Sequence, residues 1–234
     1  MTRRALILFT RLPIAGQTKT RMTPALSPES CAELQWSLLA DLSATLGGTG
    51  DITGESGTAV SYDLFTCYTP DGYPAKLERL HAMFEAAGFF AQVEGDLGTR
   101  MRSAFAQVFD AGYDHCLLLG SDIPSITAAD IDEAWSELES SEVVMGPCDD
   151  GGFWLVGLKT PFDELFADGR YGTDDVMERA RNICETEARS LALIVQKADL
   201  DTVDDLRRLK PTITKEHSPH LYGFLNEGEG VASL

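Results

Sequence analysis

The chain has 234 residues, of which 19 are basic and 37 acidic, so its formal charge at pH 7 is −18. That charge would repel DNA, RNA or an anionic membrane surface, and no basic stripe interleaved with aromatic residues offsets it, so we expect none of these partners. Hydrophobic residues make up 44% of the chain, enough for the core of one α/β domain, and we take residues 1–234 as a single domain.

Cysteine and histidine usage narrows the class of protein further. The five cysteines are scattered and never spaced as C-x-x-C, and the four histidines form no H-E-x-x-H motif. This pattern indicates reduced thiols and argues against a zinc site or a disulfide scaffold. No apolar run approaches the ~20 residues of a membrane-spanning helix, and no signal peptide is evident at the N-terminus. We therefore expect a cytoplasmic protein without membrane insertion.

Strand and helix signals alternate along the chain. Strands are predicted at 5–10, 62–68, 89–94, 116–120, 142–147, 151–158 and 191–196. Helices are predicted at 27–46, 74–87 and 101–111, and starting near 127, 173 and 202. The glycine-rich, polar stretch 47–60 carries no clear signal. This alternation predicts a mainly parallel sheet with helices on both faces, whose ligands bind beyond the carboxyl ends of the strands.

A basic, glycine-bearing loop follows the first strand. Residues 1–28 contain no acidic residue, although the whole chain is strongly acidic. Gly16 would let the backbone approach a phosphate, while Lys19 and Arg21 would neutralise it. The loop matches neither the Walker A pattern nor the dinucleotide fingerprint G-x-G-x-x-G. A solvated basic turn is the alternative, but the clustering of positive charge favours a phosphate site.

Two aspartates stand where strands leave the predicted core. Asp122 ends the apolar run "LLLGSD", and Asp201, beside Asp199, lies in "ADLDTVDDL" before the last predicted helix. Mg²⁺ typically uses one or two carboxylates together with phosphate oxygens, so both are candidate metal ligands. An ordinary turn residue and a helix cap are the respective alternatives.

Two further segments combine glycines with charged side chains. "GPCDDGGFWLVGL" joins Asp149 and Asp150 to a glycine pair, which indicates close approach of a ligand or backbone, or a tight hairpin turn. "GDLGTRM" places Arg100 near a helix start, where it could contact an anion or simply belong to a helix-entry loop. Asp149 or Asp150 could serve as a general base.

Taken in order, the segments "LFTRLPIAGQTKTRM", "GDLGTRM", "LLLGSDIPSIT", "GPCDDGGFWLVGL" and "ADLDTVDDL" resemble a little-characterised bacterial family of glycosyltransferase-A-type proteins. These are relatives of 2-phospholactate guanylyltransferase and of the molybdenum-cofactor guanylyltransferases. The resemblance covers roughly residues 4–210. It implies the nucleotide-diphospho-sugar transferase fold, a single Rossmann-like three-layer α/β domain around a mainly parallel mixed sheet, with a nucleotide over the first loop and a divalent cation, Mg²⁺ or Mn²⁺.

The resemblance also assigns roles to single residues. It implies that nucleotide phosphates are held by Arg11, Gly16, Lys19 and Arg21. It places Asp122 at the metal-binding aspartate of the superfamily and Asp201 at a second metal ligand. Asp122 departs from the usual pattern, because it lies in Ser-Asp-Ile-Pro and not in the D-x-D of many glycosyltransferases. Phe153-Trp154 and Tyr171-Gly172-Thr173 also depart from the expected versions, which affects the acceptor pocket.

These observations predict a metal-dependent transferase that uses a nucleotide-sugar donor. Lys19, Arg21 and the cation would neutralise charge on the phosphate leaving group, while loop geometry would position the acceptor. Asp149 or Asp150 would be the general base, and Lys19 and Asp150 are taken as the catalytic pair. Two alternatives stay open: a nucleotidyltransferase of guanylyltransferase type that releases pyrophosphate, and a non-catalytic nucleotide-binding module. The sequence names neither the base, the sugar, the small-molecule acceptor nor the oligomeric state.

Overall fold

A mixed seven-stranded sheet organises the chain. The structure is a computed structural model that describes residues 2–47 and 61–227. The strands are β1 (Arg4–Arg11), β2 (Asp63–Thr69), β3 (Gly88–Ala91), β4 (His115–Gly120), β5 (Val143–Pro147), β6 (Phe153–Leu158) and β7 (Leu191–Leu193). Their order in the sheet is β3-β2-β1-β4-β6-β5-β7, and only β6 runs antiparallel to its neighbours.

Helices cover both faces of this sheet. They are α1 (Pro28–Leu46), α2 (Pro74–Met83), α3 (Leu97–Asp110), α4 (Ala128–Ser140), α5 (Val176–Thr186), α6 (Val203–Leu209) and α7 (Pro219–Glu227). Successive β1 residues point to opposite faces, so Leu6 packs with α1, α2 and α4, while Ile7 packs with α3 and α5. The predicted three-layer α/β architecture with a mainly parallel sheet is confirmed.

Several predicted boundaries are wrong for identifiable reasons. Helix α3 begins at Leu97, earlier than expected, because the Asp96 carboxylate accepts the Thr99 N–H at 2.7 Å and caps it. Helix α2 ends at Met83, because the next residue, Phe84, is extended and buried. Strand β7 ends at Leu193, since its pairing with β5 stops there. The glycine-rich stretch predicted to lack structure lies, from residue 48 to 60, outside the described residues.

Helix α7 has no counterpart among the predicted elements. The buried Asp41 carboxylate accepts the backbone N–H groups of His220 and Leu221, both at 2.9 Å, at the start of this helix. Leu221 and Leu225 pack on α1 and α6 in a separate apolar cluster. The Asp41 cap comes from 179 residues away and leaves no local signal, but Ser218-Pro219 is the same Ser-Pro start that predicted α1 and could have indicated this helix.

The parallel strands bring their carboxyl ends to one edge of the sheet. There β1 ends at Arg11 and its neighbour β4 ends at Gly120. The opening basic loop and the segment carrying Asp122 therefore lie side by side, as predicted for an α/β sheet. Over residues 2–47 and 61–227, no helix has the length and apolar character needed to cross a membrane. The division into one domain over residues 1–234 stays a prediction.

Candidate active site

A cleft of about 520 Å³ opens beyond the carboxyl ends of β1 and β4. It collects seven of the eight predicted site residues: Arg11, Lys19, Arg21, Arg100, Asp122, Asp150 and Asp201. Gly16 is not part of the lining. Its φ of +78° turns the loop, and the N–H groups of Gln17 and Thr18 both donate to the Ile14 carbonyl at 3.0 Å. The role of Gly16 in the structure is therefore that of a turn residue.

The opening loop is folded by its own hydrogen bonds. The buried Thr18 hydroxyl donates to the Leu12 carbonyl at 3.2 Å and accepts the Ile14 N–H at 3.0 Å. Lys19 follows with φ +50°, a left-handed conformation that is uncommon for a residue with a side chain. This backbone directs the lysine inward, and its side chain is only 4% exposed.

The Lys19 ammonium lies between the two aspartates predicted to bind metal. Its Nζ is 2.7 Å from Oδ1 of Asp122 and 2.8 Å from Oδ1 of Asp201. Burial opposes the charge on Lys19, but the two carboxylates outweigh burial and raise its pKa above the usual value. Lys19 is therefore a buried, charged group held at the base of the cleft.

The two aspartates are positioned by separate elements that meet below the cleft. Asp122 follows β4, and its carbonyl accepts the Leu200 N–H at 3.0 Å, which joins the two segments. Capping of α6 is done by Thr202, whose hydroxyl accepts the Asp205 N–H in a capping box. The Asp201 carboxylate is thereby left for Lys19, so the alternative reading of Asp201 as the cap is wrong.

Three guanidinium groups at the cleft have no carboxylate within 4.0 Å among the described residues: Arg11, Arg21 and Arg100. Arg11 donates to the Gln17 carbonyl at 3.3 Å and Arg100 to the Gly95 carbonyl at 2.8 Å. Many arginines elsewhere in the protein form ion pairs, such as Arg208, which lies 2.6 Å from the Asp149 carboxylate. The cleft thus holds three guanidinium groups without a carboxylate partner, together with four aspartates: Asp122, Asp150, Asp199 and Asp201.

The Asp-Asp-Gly-Gly segment forms the hairpin turn between β5 and β6. The Cys148 N–H donates to the Gly152 carbonyl at 2.8 Å, and Gly151 has φ +86°. A Cβ on Gly151 would overlap the backbone of Asp174, so this glycine allows two loops to pack together. Asp150 lines the cleft, whereas Asp149 is held by Arg208 and by Gln196 at 2.9 Å. Of the two candidate bases, only Asp150 is available.

Two lining residues had no assigned role in the sequence. Asp199 lies near Asp150 and Asp201, and burial, followed by these two charges, raises its pKa to about 6. Gln35 is buried in α1, and its amide donates to the Ser121 hydroxyl at 3.0 Å beneath the cleft. The position of Asp199 beside Asp201 could have marked it as a site residue. Gln35 could not be found in this way, because it occupies a position on the buried, mostly apolar face of α1.

A family comparison now identifies the chain. Residues 53–173 match the model of a family described as an uncharacterised protein conserved in bacteria, DUF2064. The chain belongs to the DUF2064 family. No curated protein matches this DUF2064 chain.

Solved structures place the DUF2064 chain in a transferase superfamily. A protein of Desulfovibrio desulfuricans G20, provisionally described as a nucleotide-diphospho-sugar transferase, superposes with a TM-score of 0.84 and 28% identity over 100% of this chain and 98% of that one. CMP:2-keto-3-deoxy-manno-octonic acid synthetase complexed with CTP superposes with a TM-score of 0.53 and 9% identity, over 92% of this chain and 100% of that one. Rv0371c of Mycobacterium tuberculosis H37Rv in complex with manganese superposes with a TM-score of 0.50 and 16% identity, over 91% of this chain and 100% of that one. The last two show the shared fold.

These matches confirm the resemblance inferred from the motifs. The DUF2064 protein has the nucleotide-diphospho-sugar transferase fold and is classed as a transferase. Asp122 and Asp201 present two oxygens that converge on one cation, the Lys19 ammonium, which is the arrangement a divalent ion would need. In the described part of the chain, no group of three or more His, Cys, Asp or Glu side chains is arranged to hold a metal. Two carboxylates fit an ion that takes its other ligands from phosphate and water.

Proposed function

We propose that this DUF2064 protein transfers a sugar from a nucleotide-sugar donor to a hydroxyl-bearing acceptor in the cleft. The observation that carries the proposal is the cation Lys19 held between Asp122 and Asp201 in a cleft with three unpaired guanidinium groups. Such a cleft suits a diphosphate, because charged hydrogen bonds from guanidinium and ammonium groups stabilise phosphate oxygens strongly. The likeness to the Desulfovibrio protein supports the same donor class.

Each charged residue has a part in this scheme. Arg11, Arg21 and Arg100 bind the diphosphate from the cleft surface. Lys19 leaves its carboxylates and neutralises the leaving phosphate, since its charge is already desolvated and oriented. Gly16 contributes only by turning the loop so that Lys19 points inward.

A divalent cation, Mg²⁺ or Mn²⁺, would be held by Asp122 and Asp201 and would supply charge neutralisation at the phosphates. One oxygen of each carboxylate, Oδ1, contacts Lys19, and a cation at the point where these two oxygens converge requires that phosphate draws this lysine away. Cation and nucleotide should therefore bind together. The manganese complex of the fold relative Rv0371c supports this choice of metal class.

The acceptor hydroxyl is the nucleophile in the transfer step. The acceptor oxygen forms a bond to the anomeric carbon of the sugar, and the bond between that carbon and the β-phosphate oxygen breaks. The hydroxyl proton passes to the Asp150 carboxylate, and the nucleoside diphosphate leaves with the bonding electron pair. Asp150 suits this role because no basic side chain among the described residues pairs with it.

Nucleotidyl transfer is the second candidate. It demands more cationic groups along the β- and γ-phosphates of a triphosphate, and the three unpaired arginines could supply them. The CTP complex of a relative with the same fold favours it as well. A non-catalytic nucleotide-binding module is the remaining outcome and would show binding without turnover.

Identification of the leaving group tests the proposal. The protein and Mn²⁺ would be incubated separately with UDP- and GDP-sugars and with CTP and GTP, in the presence of saccharides and sugar phosphates. We expect nucleoside diphosphate release from a sugar nucleotide, reduced at least about tenfold in Asp122→Asn, and unchanged in the control Asp163→Asn, an exposed carboxylate outside the cleft lining. Pyrophosphate release from a triphosphate, with sugar nucleotides inert, would establish the second candidate instead.

A further inference from the structure

One wall of the cleft is built from the β5–β6 hairpin and the loop 168–175, here called the acceptor wall. Phe153 and Tyr171 form its aromatic surface, with ring centroids 6.3 Å apart and an interplanar angle of 77°. Tyr171 also lies against α3, where a Cβ on Gly98 would come within 3.1 Å of its ring. Asp150 lines the cleft on the same hairpin. Of the carboxylates in the wall only Asp150 lines the cleft, so the surface that faces a ligand combines aromatic faces with one carboxylate.

The basic side chains on the acceptor wall and on the first turn of the adjoining helix α5 are already paired. Arg179 of α5 lies 2.5 Å from Oδ2 of Asp168 and 3.0 Å from Oδ2 of Asp175. Arg170 pairs with Asp168 at 2.9 Å. Hydrogen bonds from Arg179, the larger cause, and from Arg170 hold the pKa of Asp168 well below its usual range. The charges of these three side chains therefore offset one another. An anionic group on the acceptor would find no free cation among the residues of this wall, and Arg100 of the adjoining helix α3 is assigned to the donor diphosphate.

Hydrogen-bonding groups of the wall stay open to a ligand. The Asp150 carboxylate accepts the Gly152 N–H at 2.9 Å and pairs with no basic group in residues 2–47 and 61–227. The Tyr171 hydroxyl makes no hydrogen bond within the same residues, and burial, followed by the Asp168 charge, raises its pKa to about 12. At neutral pH the wall thus offers a neutral phenol and a carboxylate, both suited to hydroxyl groups.

Arg179 holds the acceptor wall in place. Besides its two carboxylate partners, it donates to the carbonyl of Arg170 and, at 3.1 Å, to the hydroxyl of Thr173. Its side chain is 18% exposed. One guanidinium therefore fixes four points of the loop that carries Tyr171, which makes it a positioning residue and not a ligand-binding one.

From these features we infer that the acceptor is an uncharged polyhydroxy compound, a saccharide or polyol, bound against Phe153 and Tyr171 with hydroxyl groups on Asp150. Aromatic faces pack well on the apolar face of such a ring, and carboxylates accept hydrogen bonds from its hydroxyl groups. A phosphorylated or carboxylated acceptor would meet the Asp150 charge without a compensating cation on the wall. This inference rests on the proposed function, since it assigns the second substrate of the same cleft.

Matched pairs of neutral and phosphorylated probes test the acceptor class. Saturation-transfer NMR would compare glucose with glucose 6-phosphate, myo-inositol with its monophosphate and glycerol with glycerol 3-phosphate on the full chain. We expect the neutral member to bind at least about threefold tighter, and Asp150→Asn and Tyr171→Ala to lose that binding by about tenfold. Asp149→Asn is the matched control, because the Asp149 carboxylate forms an ion pair with Arg208.

Two results would overturn this inference: tighter binding of the phosphorylated members, or no saturation transfer to any neutral member. Calorimetry with nucleoside diphosphates on the same samples separates the two proposals. Nucleotide binding without neutral-acceptor binding contradicts the acceptor class alone, whereas absence of nucleotide binding contradicts the proposed function.

The positioning role of Arg179 has its own readout. Arg179→Ala should speed amide hydrogen exchange of residues 168–175 by at least about tenfold and lower saccharide binding, while nucleotide affinity changes less than about twofold. Arg181→Ala, an exposed arginine of α5 that forms no ion pair among the described residues, is the control. Arg179→Lys keeps the charge if the alanine variant fails to fold, and should still loosen the loop. Equal exchange in the Arg179 and Arg181 variants would remove Arg179 from this role.

Discussion

At the scale of single residues, the cleft is defined by which charges are paired. Lys19 forms ion pairs with Asp122 and Asp201, whereas Arg11 and Arg21 have no carboxylate partner within the described part of the chain. The unpaired guanidinium groups can bind a ligand without breaking an existing ion pair, whereas Lys19 must leave two carboxylates to do so. The same reasoning separates Asp150 from its neighbour Asp149.

Arg21→Ala tests the use of this free charge. The variant should weaken nucleoside diphosphate binding by about 1.5–3 kcal/mol if Arg21 makes a charge-assisted hydrogen bond to phosphate. Nucleoside without phosphate should bind wild type and variant alike. Calorimetry with both ligands measures the difference, with Arg181→Ala as the control. Equal losses for nucleoside and nucleotide would show that Arg21 shapes the base pocket or the fold instead.

The sequence predicted residue types better than their partnerships. Lys19, Asp122 and Asp201 could each be selected from chemistry and position along the chain. That Lys19 would lie between the two aspartates depends on a contact spanning 182 residues, which no local pattern contains. The same limit applies to Asp149, because Arg208, 59 residues away, decides that it is not available.

At the scale of elements, glycines set how closely the loops around the cleft can pack. Gly151 is in a left-handed conformation and its Cα approaches the backbone of Asp174. Gly98 of α3 likewise approaches the carbonyl of Phe166. The glycines of the Asp-Gly-Gly and Gly-Asp-Leu-Gly motifs therefore join α3, the hairpin and the acceptor wall into one surface.

Gly151→Ala should destabilise the fold by about 2–4 kcal/mol, because strain at positive φ adds to a backbone clash that cannot relax easily. Gly172→Ala is the matched control: its φ is +77°, but no atom lies within 4 Å of the added Cβ. That variant should cost only about 1 kcal/mol. Urea unfolding of both variants gives the comparison. Equal losses would mean that conformational strain alone, and not packing, fixes Gly151.

Element types were largely predictable, whereas ends and distant caps were not. The buried strand β4 follows from its continuous apolar run, and the start of α4 from the Thr127–Asp130 capping box. Helix α7 was not predicted although Ser218-Pro219 repeats the start of α1, and the second part of its cap, the Asp41 carboxylate on α1, acts through space and leaves no local pattern. The length of β7 depends on its pairing with β5, which is likewise invisible in the sequence.

At the scale of the whole molecule, the cluster of aspartates in the cleft should make stability depend on pH. The folded-state pKa of Asp199 is about 6, above the ~3.9 expected when unfolded, so the native state binds the extra proton. The stability from this group is therefore fully present below about pH 4 and is lost as pH rises through about 6. Asp199→Asn should match wild type near pH 4 and exceed it by on the order of 1 kcal/mol at pH 8, after allowance for solvent screening.

Denaturant unfolding of wild type and Asp199→Asn from pH 4 to pH 8 measures this difference, with Asp163→Asn as the control for a carboxylate outside the cleft lining. A stability difference that stays constant over this range would show that Asp199 is ionised normally and that the acidic side of the cleft is well solvated.

In the proposed function, nucleotide and divalent cation bind together, and the cation replaces Lys19 at Asp122 and Asp201. The most direct measurement is the affinity for each of ADP, CDP, GDP and UDP by calorimetry, with and without Mn²⁺, in wild type, Asp122→Asn and Asp201→Asn. For the nucleotide that binds, Mn²⁺ should tighten binding by at least about tenfold in wild type and by less than about twofold in either variant. Mn²⁺ tightening of equal size in all three proteins, or none in wild type, would contradict joint binding of cation and nucleotide at Asp122 and Asp201.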